Sequence, residues 1–476
     1  MRLLTIVLLC TLFLHCTRDR AQREMTVLSD TPTSISGDTA VPEWARDAVI
    51  YEVNIRQYSP EGTFNAFADN LPRLADLGVD ILWLMPVYPI SSTKRKGSLG
   101  SYYAVSDFEK VNPEFGTEED FRRLVDRAHD LGMKVILDFV PNHTGWDHIW
   151  LEEHPDFYTR DADGKVTDPI DPTTGESWGW TDVADLNYDN PDLRREITDN
   201  LRYWVENFNV DGYRMDVAGE VPEDFWAEAT AELRELKPDI FMLSESEEAS
   251  HRNEGYFAAN YGWSFHHLMN AVAKGDTSAT VLRDWYEENQ GDYRRGMHMQ
   301  FITNHDENSW NGTVRERMGP NAMNMAVLSF TLDGMPLIYS GQEAGLDKRL
   351  KFFEKDEIDF RDTSRYGFYR KLATLKEEND ALYNASYGSG VQFYDDLGNN
   401  AENSLAYRRT RNGESVLVLL NFGDDLANFR LPDGSELVGE WYDVLREERR
   451  TLAEGQSVQL NGHSHLVLSS EMPPAR

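Results

Sequence analysis

From residue 41 onward, short apolar runs alternate with amphipathic stretches. Ile50-Tyr51-Glu52-Val53 predicts a strand, followed by a helix around Phe67 to Leu77. Ile81-Leu82-Trp83-Leu84-Met85-Pro86 predicts the next strand; after a long loop a helix falls near Glu118 to Leu131, and Val135 to Val140 is the third strand. Continuously apolar strands alternating with helices point to a parallel sheet with helices on its faces. The pattern alone leaves an open sheet and a closed barrel unseparated. The rhythm breaks between residues 144 and 185, a stretch rich in Asp, Gly, Pro, Thr and Trp that reads as an insertion after the third strand. Within it, Asp161-Ala162-Asp163-Gly164 has half the spacing of a calcium loop, and a hairpin turn accounts for it better. Beyond about residue 384 the helices stop. Alternating strands such as Ser415 to Leu420 and His463 to Ser469 predict a C-terminal antiparallel β-sandwich.

The amino terminus follows another rule. Met1-Arg2 precedes the apolar run Leu3 to Leu14, which is too short to span a bilayer and has the layout of a secretory signal. The expected organisation is a signal peptide over 1–20, a polar flexible linker over 21–40, a barrel in two parts over 41–143 and 186–384, the insertion over 144–185, and the sandwich over 385–476. Both cysteines, Cys10 and Cys16, fall within the leader, so the rest of the chain has no disulfide to form. Cys16 stands where a lipidated first residue would, although His15 precedes it where such signals carry a small residue. Lipid anchoring and plain cleavage both stay open, and the protein is expected to be exported: periplasmic, secreted or anchored to the envelope. No later stretch is a membrane-span candidate.

At 476 residues, 40% hydrophobic and 27% charged, the chain has room for a barrel of about 250 residues and smaller modules. Its 82 acidic against 47 basic residues give a net charge of −35. So negative a field argues against nucleic acid and anionic lipid as partners and does not repel a neutral sugar polymer. It also fits adaptation to high salt, where screening removes self-repulsion.

Working residues of a parallel α/β barrel sit at the carboxyl ends of its strands. Here Val135 to Val140 runs into Pro141-Asn142-His143, and Val210 to Met215 runs into Asp216. Ile240 to Ser244 runs into Glu245, and Phe301-Ile302-Thr303 into Asn304-His305-Asp306. A lone acid in such a place is ordinarily a solvated or capping group; several together, each closing an apolar strand, are not. Cleavage of a glycoside needs two carboxyl groups in different protonation states. Arg214, two residues before Asp216, projects to the same side and can hold that acid ionised, while Glu245, crowded by carboxylates, would keep its proton.

These segments resemble the conserved regions of the α-amylase family, glycoside hydrolase family 13. Asp138 to His143, Gly212 to Asp216, Ser244-Glu245 and Asn304-His305-Asp306 match its four regions in order. Gly78 to Pro86, Asp185-Leu186-Asn187 and Gly334 to Glu343 match supporting motifs. The resemblance implies a (β/α)8 TIM barrel with a short insertion after strand 3 and a C-terminal antiparallel β-sandwich. It implies a retaining hydrolase of α-1,4-glucosidic bonds in starch-derived glucans or maltooligosaccharides. A transferase or trehalose-forming isomerase on the same site, or a catalytically silent sugar-binding barrel, are the other readings. The implied roles are Asp216 as nucleophile, Glu245 as acid/base and Asp306 as transition-state stabiliser. Tyr103, His143, Arg214 and His305 would contact substrate, with Tyr102 a competitor for the place of Tyr103. No organic cofactor is implied. Asn142 and Asp185 match two ligands of a structural calcium site, whereas Gly219-Glu220 departs from the family pattern for both substrate grip and calcium.

Overall fold

Eight parallel strands close into a barrel in the computed structural model, which describes residues 40–472 apart from 172, 290–294, 396, 399 and 401. The leader, Cys16 and the linker up to residue 39 lie outside the described residues. In chain order the strands are β1 (Ile50–Val53), β2 (Ile81–Leu84) and β3 (Lys134–Phe139), then the antiparallel pair β4 (His143–Gly145) and β5 (Val183–Asp185) of the insertion. The barrel resumes with β6 (Gly212–Met215), β7 (Phe241–Ser244), β8 (Ala259–Tyr261), β9 (Met297–Gln300) and β10 (Met335–Tyr339). The ring runs β1-β2-β3-β6-β7-β8-β9-β10 and returns to β1, which settles the choice between open sheet and closed barrel.

Strand alternation sorts the side chains between two cores. Ile50, Trp83, Ile136, Leu243, Met299 and Leu337 fill the barrel interior. Tyr51, Leu82, Leu137, Tyr213 and Met242 pack outward against helix residues such as Leu74, Leu124 and Leu201. Toward the carboxyl ends the inward row turns polar with Glu52, Asp138 and Arg214, all fully buried. Asp138 and Arg214 are cross-strand partners. At the β6–β7 contact, a Cβ on Gly212 would lie 1.8 Å from the Phe241 carbonyl oxygen, so only glycine lets these backbones approach.

Several expected elements shift. The helix expected around Phe67 to Leu77 is two, Phe64–Ala68 and Leu71–Leu77, divided before Pro72. Phe301-Ile302-Thr303 is not strand: β9 ends at Gln300, and Phe301 and Ile302 are apolar because they are buried core residues. Asp161 lies in a hairpin turn, its N–H donating to the Lys165 carbonyl at 2.9 Å. Among the described residues no helix is long and apolar enough to cross a membrane.

The C-terminal region holds β11 (Val391–Phe393), β12 (Ser404–Arg411), β13 (Glu414–Asn421), β14 (Ala427–Arg430), β15 (Gly439–Asp443), β16 (Glu448–Leu452), β17 (Ser457–Leu460) and β18 (Ser464–Ser469). They form an antiparallel six-stranded sheet and the separate pair β14–β17. A shared core draws Leu417 and Leu468 from the first and Phe429 and Val458 from the second. Phe422 and Trp441 are buried.

At the amino end of the barrel, Asp211 ties adjacent elements together. Its buried carboxylate accepts from the Val135 N–H (2.9 Å), Lys237 Nζ (2.9 Å), Lys134 Nζ (3.3 Å) and His129 Nε2 (2.6 Å). Burial alone would raise its pKa, but these donors lower it well below the ordinary range. Removing one partner of a buried ion pair strands the others, so Asp211→Ala is expected to lower unfolding stability by about 3 kcal/mol. Denaturant unfolding checks this; a change within about 0.5 kcal/mol, the range of an ordinary surface substitution, would contradict it.

Candidate active site

Arg214 projects from β6 into the barrel and is fully buried. One terminal nitrogen, Nη1, donates to Asp138 Oδ1 and Asp216 Oδ1, each at 2.8 Å. Nε donates to the Tyr261 hydroxyl at 3.1 Å, and the guanidinium lies 5.1 Å from the Trp83 ring centroid. Nη2 stands 2.6 Å from Glu245 Oε1, an ion pair outside hydrogen-bond alignment. The arginine thus reaches three carboxylates, hydrogen-bonding two of them in line.

A second cation lies across the site. His305 Nδ1 is 2.5 Å from Glu52 Oε1, and its Nε2 is 2.9 Å from the Tyr103 hydroxyl and 3.3 Å from Asp306 Oδ2. Burial opposes charge on this imidazole, but the Asp306 and Glu52 carboxylates outweigh it and raise the pKa to about 9. With both ring nitrogens protonated, Nε2 donates to the Tyr103 oxygen. The Tyr103 hydroxyl in turn donates to Asp138 Oδ2 at 3.0 Å, which also accepts from Trp83 Nε1 at 3.1 Å. A polar chain therefore runs Glu52–His305–Tyr103–Asp138–Arg214–Asp216.

Five carboxyl groups, those of Glu52, Asp138, Asp216, Glu245 and Asp306, surround these two cations. Burial is the main cause that raises Asp216 and Glu245, each to about 7, and Asp138 to about 6, with Arg214 opposing in every case. Neighbouring carboxylates add to the rise of Glu245, so crowding, the expected cause, is secondary to desolvation. Asp216 and Glu245 are thus raised together, against the opposing charge of Arg214.

The backbone contributes one strained residue. Val217, next to Asp216, has φ of 48°, a left-handed conformation costly for a β-branched side chain, and its N–H donates to Glu245 Oε2 at 2.8 Å. The strain aims a donor at the acid on the neighbouring strand end.

All seven expected catalytic and substrate residues are in this region, and Tyr103, His143, Asp216, Glu245, His305 and Asp306 line one cleft of about 690 Å³. Arg214 lies beneath its floor. Tyr102 turns away to stack under the Arg56 guanidinium, 4.3 Å from its ring centroid, leaving the cleft wall to Tyr103. Lowered to about 3 by burial, His143 is neutral, with Nε2 3.9 Å from Asp216 Oδ2. Glu220 also lines the cleft. The sequence reading missed Glu52 and gave Asp138 no role; a charge inside a continuously apolar strand was the available signal for both.

The calcium expectation meets an incomplete donor set. Asp185 is mostly buried and raised to about 6 by that burial, with the charges of Asp168 and Glu220 adding to the rise. Asn142 is buried nearby, its carbonyl accepting from the Leu186 N–H at 3.1 Å. Among the described residues no group of three His, Cys, Asp or Glu side chains is arranged to hold a metal ion. Two side-chain oxygens fall short of the six to eight that calcium takes. Asn142 and Asp185 do not make a cage by themselves.

The paired geometry gives a direct readout. The His305 imidazole should titrate near pH 9 in NMR of labelled histidine, and Glu52→Gln, which removes one carboxylate, should lower that value by at least one unit. An imidazole titrating at an ordinary 6.5 or so would contradict the arrangement.

The family model described as the alpha amylase catalytic domain matches residues 29–385. Alpha-amylase MalA of Haloarcula japonica is 29% identical over 432 residues, covering 87% of this chain and 62% of its own length. Alpha-amylase 3 of Dictyoglomus thermophilum is 29% identical over 341 residues, covering 64% of this chain and 65% of its own. The chain thus spans less than two thirds of the length of either relative. The crystal structure of the noncanonic maltogenic alpha-amylase AmyB from Thermotoga neapolitana superposes with a TM-score of 0.78 at 28% identity, covering 89% of this chain and 98% of that one.

Proposed function

The chain belongs to the α-amylase family of glycoside hydrolases, and from that premise we propose that it hydrolyses α-1,4-glucosidic bonds of starch-derived glucans or maltooligosaccharides by double displacement with retention. The observation that carries the reading is Arg214, which joins Asp216 and Glu245 at the floor of one cleft while Asp306 faces them. Arg214 hydrogen-bonds Asp216 but meets Glu245 only as an ion pair outside hydrogen-bond alignment, which favours the ionised form of Asp216 and leaves the proton of the pair to Glu245.

Asp216 attacks the anomeric carbon as Glu245 delivers its proton to the departing oxygen. The glycosidic C–O bond breaks and an ester to Asp216 forms. Water then attacks the same carbon, Glu245 takes its proton, and the ester bond breaks to restore the Asp216 carboxylate. Asp306 and the excess of carboxylates stabilise the positive charge that develops on the sugar ring in each step. Neutral sugar fits this lining. Among the described residues the cations that line the cleft, Lys96 and His305, are already paired with Asp182 and with Glu52 and Asp306, which leaves none of them free for a phosphorylated substrate. The apolar leader supports export of the protein, and fractionation of cells expressing the full chain tests it: retention in the cytoplasm would overturn export.

Asp216→Asn is expected to cut turnover of soluble starch and maltoheptaose by several orders of magnitude with unfolding unchanged, and the first product should carry the α configuration by anomeric-proton NMR. An initial β product, or near-parental activity in the variant, would overturn the scheme. The rate kcat/KM should also fall as pH rises past about 7, where the pair loses its last proton; a plateau extending to pH 9 would exclude an acid of that pKa.

A further inference from the structure

Among the described residues Trp178 and Trp310 are the only exposed tryptophans, at 44% and 52%, and both line the catalytic cleft. They come from different loops. Trp178 belongs to the insertion that follows β3, and Trp310 to the helical turn Glu307–Asn311 that follows β9. Within a cleft an exposed indole offers a flat apolar face, and the C–H face of a glucose ring packs well on such a surface.

Both are held in place before any ligand arrives. Trp178 stacks on Trp180 with centroids 5.9 Å apart and planes 18° from parallel, and Trp180 abuts His143. Lys96 pins this segment, with Nζ 2.7 Å from Asp182 Oδ1 and 3.3 Å from the Gly179 carbonyl. In the other loop, Trp310 packs on Phe352 at 5.2 Å, and Phe352 stacks on Tyr103. The turn carrying Trp310 is fastened by Asn308, which donates to the Lys348 carbonyl at 3.0 Å and accepts from the Leu350 N–H at 2.8 Å. Such preorganisation lowers the ordering cost of binding.

We propose that Trp178 and Trp310 are specificity-determining residues. Each stacks on a glucose unit displaced from the bond being cleaved, so the cleft selects glucan chains of several units over di- and trisaccharides. Lys96 is a positioning residue that holds the Trp178 platform. This rests on the α-glucan reading above, so the test separates the two.

The ratio of kcat/KM for maltoheptaose to that for maltotriose is measured in the full chain and in Trp178→Ala and Trp310→Ala. Each substitution should lower the ratio about tenfold through KM, and Lys96→Met should lower it in the same direction with partial rescue by Lys96→Arg. Leu426→Ala, an exposed apolar residue between β13 and β14, serves as control. An unchanged ratio in both tryptophan variants, or an equal fall in the control, overturns the proposal. If the parent cleaves no α-glucan, the functional reading fails, and the role of the two tryptophans is judged by binding in the Asp216→Asn background. There, maltoheptaose should quench intrinsic fluorescence, and affinity should drop about tenfold without either indole. Equal affinity in the presence and absence of both indoles overturns the stacking role as well.

Discussion

Arg214 is buried without access to water, and its charge is balanced by Asp138, Asp216 and Glu245 together. Taking a guanidinium out of water costs several kcal/mol, and that cost is recovered only where aligned acceptors surround it. The barrel supplies them because three neighbouring strands, β3, β6 and β7, end at one level, which places the inward side chain of each at the same height. Register thus determines chemistry. A slip of one residue in β6 would turn Arg214 outward and Tyr213 inward, leaving three buried acids without a counter-ion.

The same burial decides protonation. With Glu52, Asp138, Asp216, Glu245 and Asp306 set against Arg214 and His305, the site is short of positive charge, so a proton stays on the Asp216–Glu245 pair near neutrality. An acid and a carboxylate then coexist at one pH, as the two-step cleavage of a glycoside requires. An oxocarbenium-like sugar would restore the missing charge, and that is differential stabilisation of a transition state over a neutral ground state. The left-handed Val217 shows that local backbone preference yields to this arrangement.

Much of this was legible in the sequence because the signals were local. The apolar runs of β2 and β3 announced buried parallel strands, and Asp216 and Glu245 stood at the ends of β6 and β7 as expected. β8 and β9 were not legible. Ala259-Asn260-Tyr261 is too short for a pattern, and Met297-His298-Met299-Gln300 sets buried polar side chains among apolar ones. Asp306 was therefore placed at a strand end, whereas it opens a helical turn several residues past β9. Glu52 was hidden for a related reason: its partner His305 is 253 positions away, a pairing only ring closure between β1 and β10 brings about. Trp178 and Trp310 likewise meet at one cleft only in the folded chain, from segments more than a hundred residues apart, which no local pattern encodes.

The central claim is that Arg214 orients Asp216 as the group that bonds to the sugar. An activated 5-fluoro-α-glycosyl fluoride does not need acid assistance to react, so Glu245→Gln protein treated with it isolates the first step. Peptide mass spectrometry should find a single glycosyl ester, on Asp216. An adduct on Asp306 or Asp138, or no adduct while hydrolysis of the fluoride continues, would contradict the account.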